Sequence, residues 1–484
     1  MPESGHPLRV YTLEGLSPEV AAVIFAKTSR SPRSFDDIAR ELTEAASTRF
    51  HEKWVIGYGH SSVAEHAVLS IAIENLSILA AKIVEENRLS SFTEKSTRYQ
   101  VMDPADYYTP PCFAEGEPGR IYRDAVASLY ATYGALLPEA RAFCDDKYGA
   151  PEWSDRGVSP AGKACDAVRG LLPAAATTNL GWTVNARELR HAVVKMASHP
   201  LYEMRELARV LARVAREKVP TLLRYVEASA YLEGWEGRMA AAGAAPLGAT
   251  SSARGTADPG AAPRSARPTV EPDVRLVSYD PDGERAVLAA LIFRATGRSY
   301  EDTAAEVAAY DTDRVGVLLN DALSGIGGHE APVREFESTA YAFEITCDYG
   351  AYRDIQRHRM ATQTEQPLSC DLGYAIPTDA REAGLAERMA TALARARDSW
   401  RALAAVDRMN AQYAVPLAFR KRFLMRMNLR EAFHFVALRS RVQGHESYRR
   451  VAWAVKEQIE RVHPNLGSII PMEYDASPAE AEVR

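Results

Sequence analysis

The sequence predicts an α+β fold used twice: two copies of one domain, each a small antiparallel sheet packed with long helices, joined by a flexible linker. Three observations carry this. The same elements recur in unbroken order in the two parts of the chain. Each part mixes a few alternating segments with longer helical ones. Between the parts lies a stretch that cannot build a core.

That stretch is 240–272, AAAGAAPLGATSSARGTADPGAAPRSARPTVEP. Ala, Gly, Pro, Ser and Thr dominate it, so too little apolar surface is available to offset the entropy of ordering. It separates a first domain, 1–239, from a second, 273–484. The repeat is read from paired segments. LRVYTLEG near Val10 matches VRLVSYDPDG near Leu276, and VIFAKTSRS from Val23 matches LIFRATGRS from Leu291. Gly59-His60 matches Gly328-His329 at an offset of 269, and ENR from Glu86 falls opposite RHR from Arg357 at 271. Asn185-Ala186-Arg187 matches Asn428-Leu429-Arg430 at only 243, which places 28 extra residues of the first half within 103–163. Loop-like PPCFAEGEPG and PEWSDRGVSP lie there.

Taken in order, each half opens with a short strand and a helix, 18–27 in the first copy, then a second helix over 35–50. A strand follows, with Leu69, Ile71 and Ile73 alternating with Ser70, Ala72 and Glu74. Its counterpart alternates Tyr341, Phe343 and Ile345 with Ala340, Ala342 and Glu344. A helix then leads into the ENR or RHR segment, and long helices such as 187–197 and 202–217 close the half.

Composition narrows the class. Apolar residues at 46% and charged residues at 25% suit a globular protein, and a net charge of -6 without aromatic-basic interleaving argues against nucleic-acid binding. An anionic ligand must therefore be met by local arginines. Cys112, Cys144, Cys165, Cys347 and Cys370 are scattered without CxxC spacing, which predicts reduced thiols and no metal site. The N-terminus lacks an apolar signal core, and no run is long enough for a membrane span, so the expected location is the cytoplasm.

The chemistry sits in two diverged copies of one motif. The first half reads GHSSVAEH from Gly59 and ENRLSSFTEKSTRY from Glu86; the second reads RHRMATQTEQPLSCDLGY from Arg357. These resemble the flavin-dependent thymidylate synthases, whose signature is RHRxxSxNExSxRY with GHxSxxEH upstream and NxR downstream. The first half keeps Arg88, Ser91, Glu94, Ser96, Arg98 and Tyr99; the second keeps Arg357, His358, Arg359 and Glu365. Pooled, eight of nine specified positions are filled, and only the Asn slot is empty in both, held by Thr93 and Thr364.

The resemblance implies complementary halves. Ser96, Arg98 and Arg169, with Glu94 and Arg357, would hold a nucleotide, the phosphate meeting arginine forks. Flavin contacts would come from His60, Ser62, Ser91, His358, Arg359, Glu365, Asn428, Arg430 and His434. Arg439, eleven residues after Asn428, would act on the uracil ring; the first half has Met196 at that place. The implied reaction is reductive methylation of dUMP at C5, with FAD as cofactor and NADPH and methylenetetrahydrofolate as co-substrates. The family's homotetramer becomes an expected homodimer of two-domain chains.

The residues themselves leave alternatives open. RHR also suits a solvated basic face, Arg169 can pair with Asp166 instead of phosphate, Glu65-His66 can be a structural polar pair, and His434 and His445 can be surface residues. Two other functions stand beside the leading one: the same chemistry on another uridine nucleotide, for which the LSCDLGY segment and the missing Asn leave room, and a non-catalytic nucleotide- or flavin-binding paralogue.

Overall fold

The computed structural model describes residues 9–29, 31–57, 61–224, 226–244, 271–327 and 330–473. It is an α+β protein of many helices and two small antiparallel sheets. The chain forms two compact units: Met1–Glu74 with Leu89–Glu94 and Asn179–Arg254, and Asn75–Arg88 with Lys95–Thr178 and Gly255–Arg484. These units divide the chain differently from the halves of the repeat, because the second draws 75–88 and 95–178 from the first half.

In the first unit, helix Pro18–Thr28 starts where Ser17 accepts the Val20 N–H, and its Val20 and Ile24 pack with Ile38. The single helix expected over 35–50 is two, Phe35–Glu41 and Glu44–Phe50. The break has a local cause: Leu42 and Thr43 are extended, and Thr43 accepts the Ala46 N–H as a fresh N-cap, as Ser34 does for the helix before. The expected opening strand near Val10 is absent. Residues 9–17 find no ladder partner among the described residues, and Val10 is 87% exposed. Strands β1 (Val68–Ser77), β2 (Ser90–Glu94) and β3 (Thr177–Asn185) form a sheet in the order β1-β3-β2. Phe92 stacks on Trp182 across β2 and β3. Asn185 then caps helix Ala186–Ala197 by accepting the Glu188 N–H. Of the segment read as a linker, residues 240–244 continue helix Ala230–Ala244, whose alanines favour helix, and 245–270 lie outside the described residues.

The second unit carries β4 (Asp273–Tyr279), β5 (Ala340–Asp348), β6 (Thr362–Glu365) and β7 (Arg420–Asn428), in the order β4-β5-β7-β6. Here the opening strand does form, because β5 supplies its ladder. The alternation read in β5 places Tyr341, Phe343 and Ile345 on the buried face, beside Phe423, Met425 and Met427 of β7. Each such apolar side chain contributes about 1.5–3 kcal/mol on burial. The extra residues of the first half form a longer helix, Gly116–Tyr148 at 33 residues against 22 for Ala386–Asp407, together with Pro151–Asp155 and Pro160–Val168. The long helix packs against both Pro160–Val168 and Ala386–Asp407.

Equivalent segments of the two halves meet inside this unit. Pro173 pairs with Pro416 in an antiparallel bridge, and 416 minus 173 is the same offset of 243 that relates Asn428 to Asn185. Ala174 donates to the Val415 carbonyl at 2.8 Å, Leu417 to Leu172 at 2.9 Å and Ala418 to Gly170 at 2.9 Å. A Cβ on Gly170 would stand 3.1 Å from that of Ala418, so the close approach depends on glycine there.

Candidate functional site

The site is built on this junction, within the second unit. Ser159 caps helix Pro160–Val168, which presents Asp166 and delivers the chain into the turn carrying Arg169. After β2 the chain turns so that Ser96 accepts the Arg98 N–H, while buried Thr97 accepts from Arg353 at 3.1 Å. Arg98 is thereby aimed at Asp166: its Nε lies 2.9 and 3.0 Å from the two carboxylate oxygens and its Nη2 2.7 Å from one of them. Arg98 also donates to the Gln443 carbonyl at 2.6 Å and reaches the Tyr448 hydroxyl at 3.4 Å. Arg169 is buried between two carboxylates, 3.5 Å from Asp166 and 3.5 Å from Asp354.

Asp354 comes from helix Tyr349–Ile355, capped by Asp348, and precedes the RHR turn by three residues. Burial alone would raise its carboxyl, but Arg169, Arg357, Arg439 and Arg98 outweigh burial and hold it well below the usual carboxylate range. Asp166 is likewise held down by Arg98 and Arg169 against the effect of its burial. Two ionised carboxylates therefore stand among four arginines at neutral pH.

A second line of side chains enters from helix Leu429–Arg439. Asn428 accepts the Glu431 N–H and caps it. Glu431 accepts from His358 Nδ1 at 2.8 Å, and Arg439 Nε donates to His358 Nε2 at 2.9 Å. The Arg439 guanidinium lies 5.4 Å from the Tyr448 ring centre. Burial, then Arg439, His434 and Arg359, hold the His358 imidazole well below its ordinary pKa and keep it neutral.

Of the residues singled out in the sequence, Arg98, Arg169, Arg357, His358 and Arg439 converge around Asp354 and Tyr448. Ser96 shapes the loop that aims Arg98. His434 is exposed, with its ring 5.4 Å from His358, and Arg359 is half-buried on the same turn. Arg430 donates to the Pro332 carbonyl and to Glu337. Glu365 pairs with Lys421 at 2.5 Å. Ser62, Ser91 and Glu94 belong to the first unit, the two serines exposed; His60 lies outside the described residues. Arg169 makes the contact to Asp166 that stood as the alternative to phosphate, and shares that carboxylate with Arg98.

Asp354, Glu431 and Tyr448 were not singled out. The signals were present: Asp354 lies one helical turn before Arg357, and Asn428-x-x-Glu431 has capping-box spacing. The position equivalent to Arg169 in the second half is Gln412, internally satisfied by accepting from Leu368 at 2.7 Å and donating to Met409. Among the described residues, no group of His, Cys, Asp and Glu is placed to hold a metal, and no helix is long and apolar enough to cross a membrane.

The buried groups predict how stability depends on pH. His358 and His445 are held below their ordinary pKa by burial, with Arg439 adding at the first and Arg169 at the second. Below about pH 6.5 the unfolded chain therefore takes up protons that the folded one does not, and stability falls. Asp166 and Asp354 are depressed, so their contribution is complete above the unfolded value of about 3.9 and is lost as pH falls below it toward their folded values. Urea-unfolding midpoints are expected to decline from pH 7 to 5, and to decline less in a His358→Gln variant.

Known proteins similar to this chain point to one family. The family model described as "Thymidylate synthase complementing protein" matches residues 12–221 and again 275–465. A UPF0159 protein of Chlamydia muridarum is 30% identical over 95% of this chain and 91% of its own length. A flavin-dependent thymidylate synthase of Geobacter sulfurreducens is 27% identical over 43% of this chain and 81% of its own length. Among solved structures, the flavin-dependent thymidylate synthase of Helicobacter pylori complexed with FAD and dUMP is similar at TM-score 0.32 and 18% identity, over 44% of this chain and 96% of that one.

Proposed function

We propose, from the premise that this chain belongs to the thymidylate synthase complementing protein family and carries its domain twice, that it is a flavin-dependent enzyme that reductively methylates dUMP at C5. Methylenetetrahydrofolate is the one-carbon donor and NADPH the hydride source in this reading, and the chain works in the cytoplasm as a homodimer. The observation that carries it is the convergence, in one unit, of Arg98 and Arg169 from one half with Arg357, His358 and Arg439 from the other.

The donor set fits a flavin. His434, Arg359 and Arg357 sit on adjoining turns, are at least partly exposed, and offer donors, the two arginines cationic, of the kind a pyrophosphate and a reduced isoalloxazine require. Once bound, the flavin supplies hydride chemistry. The chain's own residues bind and polarise: in this reading a phosphate takes Arg98 and Arg169 over from Asp166 and Asp354, and Arg439 offers its Nη donors to a uracil carbonyl, where they stabilise charge developing on the ring.

A second reading, the same chemistry on another uridine compound, is favoured by one observation. Asp166 and Asp354 already occupy the arginines that a phosphate would use. The test is retention of FAD on purification and tritium release from 5-tritiated dUMP with NADPH and methylenetetrahydrofolate. Release supports dUMP as substrate. Bound FAD without release sends the assay to other uridine compounds, and the absence of both leaves a non-catalytic paralogue.

A further inference from the structure

We infer that Glu431 is a positioning residue, fixing the tautomer of His358 and through it the direction of the Arg439 guanidinium. Arg439 Nε carries a hydrogen and can only donate, so the His358 Nε2 that it meets at 2.9 Å must present a lone pair. A neutral imidazole then carries its proton on Nδ1, and Nδ1 lies 2.8 Å from Glu431 Oε1. The three side chains form one directional chain, Arg439 to His358 to Glu431. If the acceptor at Nδ1 is removed, the Nε2–H tautomer becomes accessible, and it would set N–H against N–H at Arg439.

The surroundings enforce this arrangement. Phe435 packs on the His358 ring from the side, with centroids 4.9 Å apart, and the ring is buried, so it cannot turn to water for a replacement partner. Burial, then Arg439, His434 and Arg359, oppose a further positive charge on the imidazole and outweigh the pull of Asp354, so protonation does not resolve the conflict. Glu431 occupies the third position of its helix, where a glutamate would ordinarily reach back to the capping residue's N–H; the contact its carboxylate makes to His358 is instead a tertiary one.

With the Nε of Arg439 committed to His358, its Nη groups are the donors that remain for a ligand, and the guanidinium carbon lies 5.4 Å from the Tyr448 ring centre. The functional consequence rests on the reading above, in which those Nη groups meet the uracil carbonyl; the tautomer itself does not depend on it.

The experiment has two arms. In protein labelled with 15N-histidine, the His358 resonances, assigned by their loss in His358→Gln, are expected to show Nδ1 protonated and Nε2 bare. Glu431→Gln, whose amide oxygen still accepts, keeps that pattern, whereas Glu431→Ala shows an Nε2–H population. In the activity arm, Glu431→Ala lowers kcat for tritium release about tenfold with little change in KM, by analogy with the loss of groups that orient a ligand from behind, and Glu431→Gln restores most of it. An Nε2–H signal in the unaltered protein, or an unchanged Nδ1–H pattern in folded Glu431→Ala, would overturn the inference. An expected tautomer pattern in a protein without tritium release would instead count against the reaction.

Discussion

Replacing Arg439 by alanine is expected to lower kcat/KM for tritium release from 5-tritiated dUMP by roughly a hundredfold to a thousandfold, mostly through kcat, the range typical of losing one donor to a developing oxyanion. The argument is positional. Arg439 closes its helix, is fastened by Nε to His358, and stands against Tyr448, so its Nη groups are held rather than free to wander. Arg439→Lys should not rescue, because a point charge on a flexible stem lacks the fork that His358 orients. Flavin content should stay near that of the unaltered protein, since Arg439 is assigned to the pyrimidine. Loss of flavin together with activity would reassign it to the cofactor.

Arg98 is expected to behave differently on the same assay. Its alanine variant would leave Asp166 buried with only a 3.5 Å contact to Arg169, and stripping one partner from a buried pair costs about 3–5 kcal/mol. Arg98→Lys is therefore the informative change: charge remains, the fork is lost, and KM for the nucleotide is expected to rise about tenfold while kcat holds. A fall in kcat at constant KM would place Arg98 nearer the reacting ring than the phosphate.

How much of this was legible in the sequence follows from which signals are local. The alternation of Tyr341, Phe343 and Ile345 predicted a strand with one buried face, and all three are buried in β5. Asn185 and Asn428, picked out as repeat markers, turn out to be N-caps, which explains why Asn holds that place in both halves. The offset of 243 found from those asparagines reappears as the Pro173–Pro416 pair. Non-local choices were not legible. The opening strand depends on a ladder partner, present for Asp273–Tyr279 and missing for 9–17. The division into units depends on the long helix Gly116–Tyr148 packing on Ala386–Asp407, which periodicity cannot reveal. Asp354 was overlooked because a motif directs attention to residues that bind ligand and not to those that neutralise the binders.

That neutralisation sets up the largest effect expected on binding. Asp354→Asn should tighten dUMP while leaving deoxyuridine nearly unchanged. In the folded protein Asp354 is ionised and faces Arg169, Arg357, Arg439 and Arg98, so a phosphate brought to Arg169 enters the field of a fixed negative charge 3.5 Å from that arginine. For one unit charge repelled at about 6 Å with an effective dielectric near 20, the penalty is on the order of 2–3 kcal/mol, more than tenfold in Kd. Comparing the two ligands by calorimetry cancels any general loosening caused by the substitution, because both carry the same uracil ring. A tenfold or larger gain confined to dUMP would make Asp354 the residue that sets preference between phosphorylated and unphosphorylated pyrimidines. If the unaltered protein also favours deoxyuridine, the second reading of the substrate gains over the first. No change in either ligand would mean that the Asp354 carboxylate withdraws as phosphate arrives, so that Arg169 exchanges one anion for another; dUMP would then stand as the substrate with its arginines merely held in place beforehand by Asp166 and Asp354.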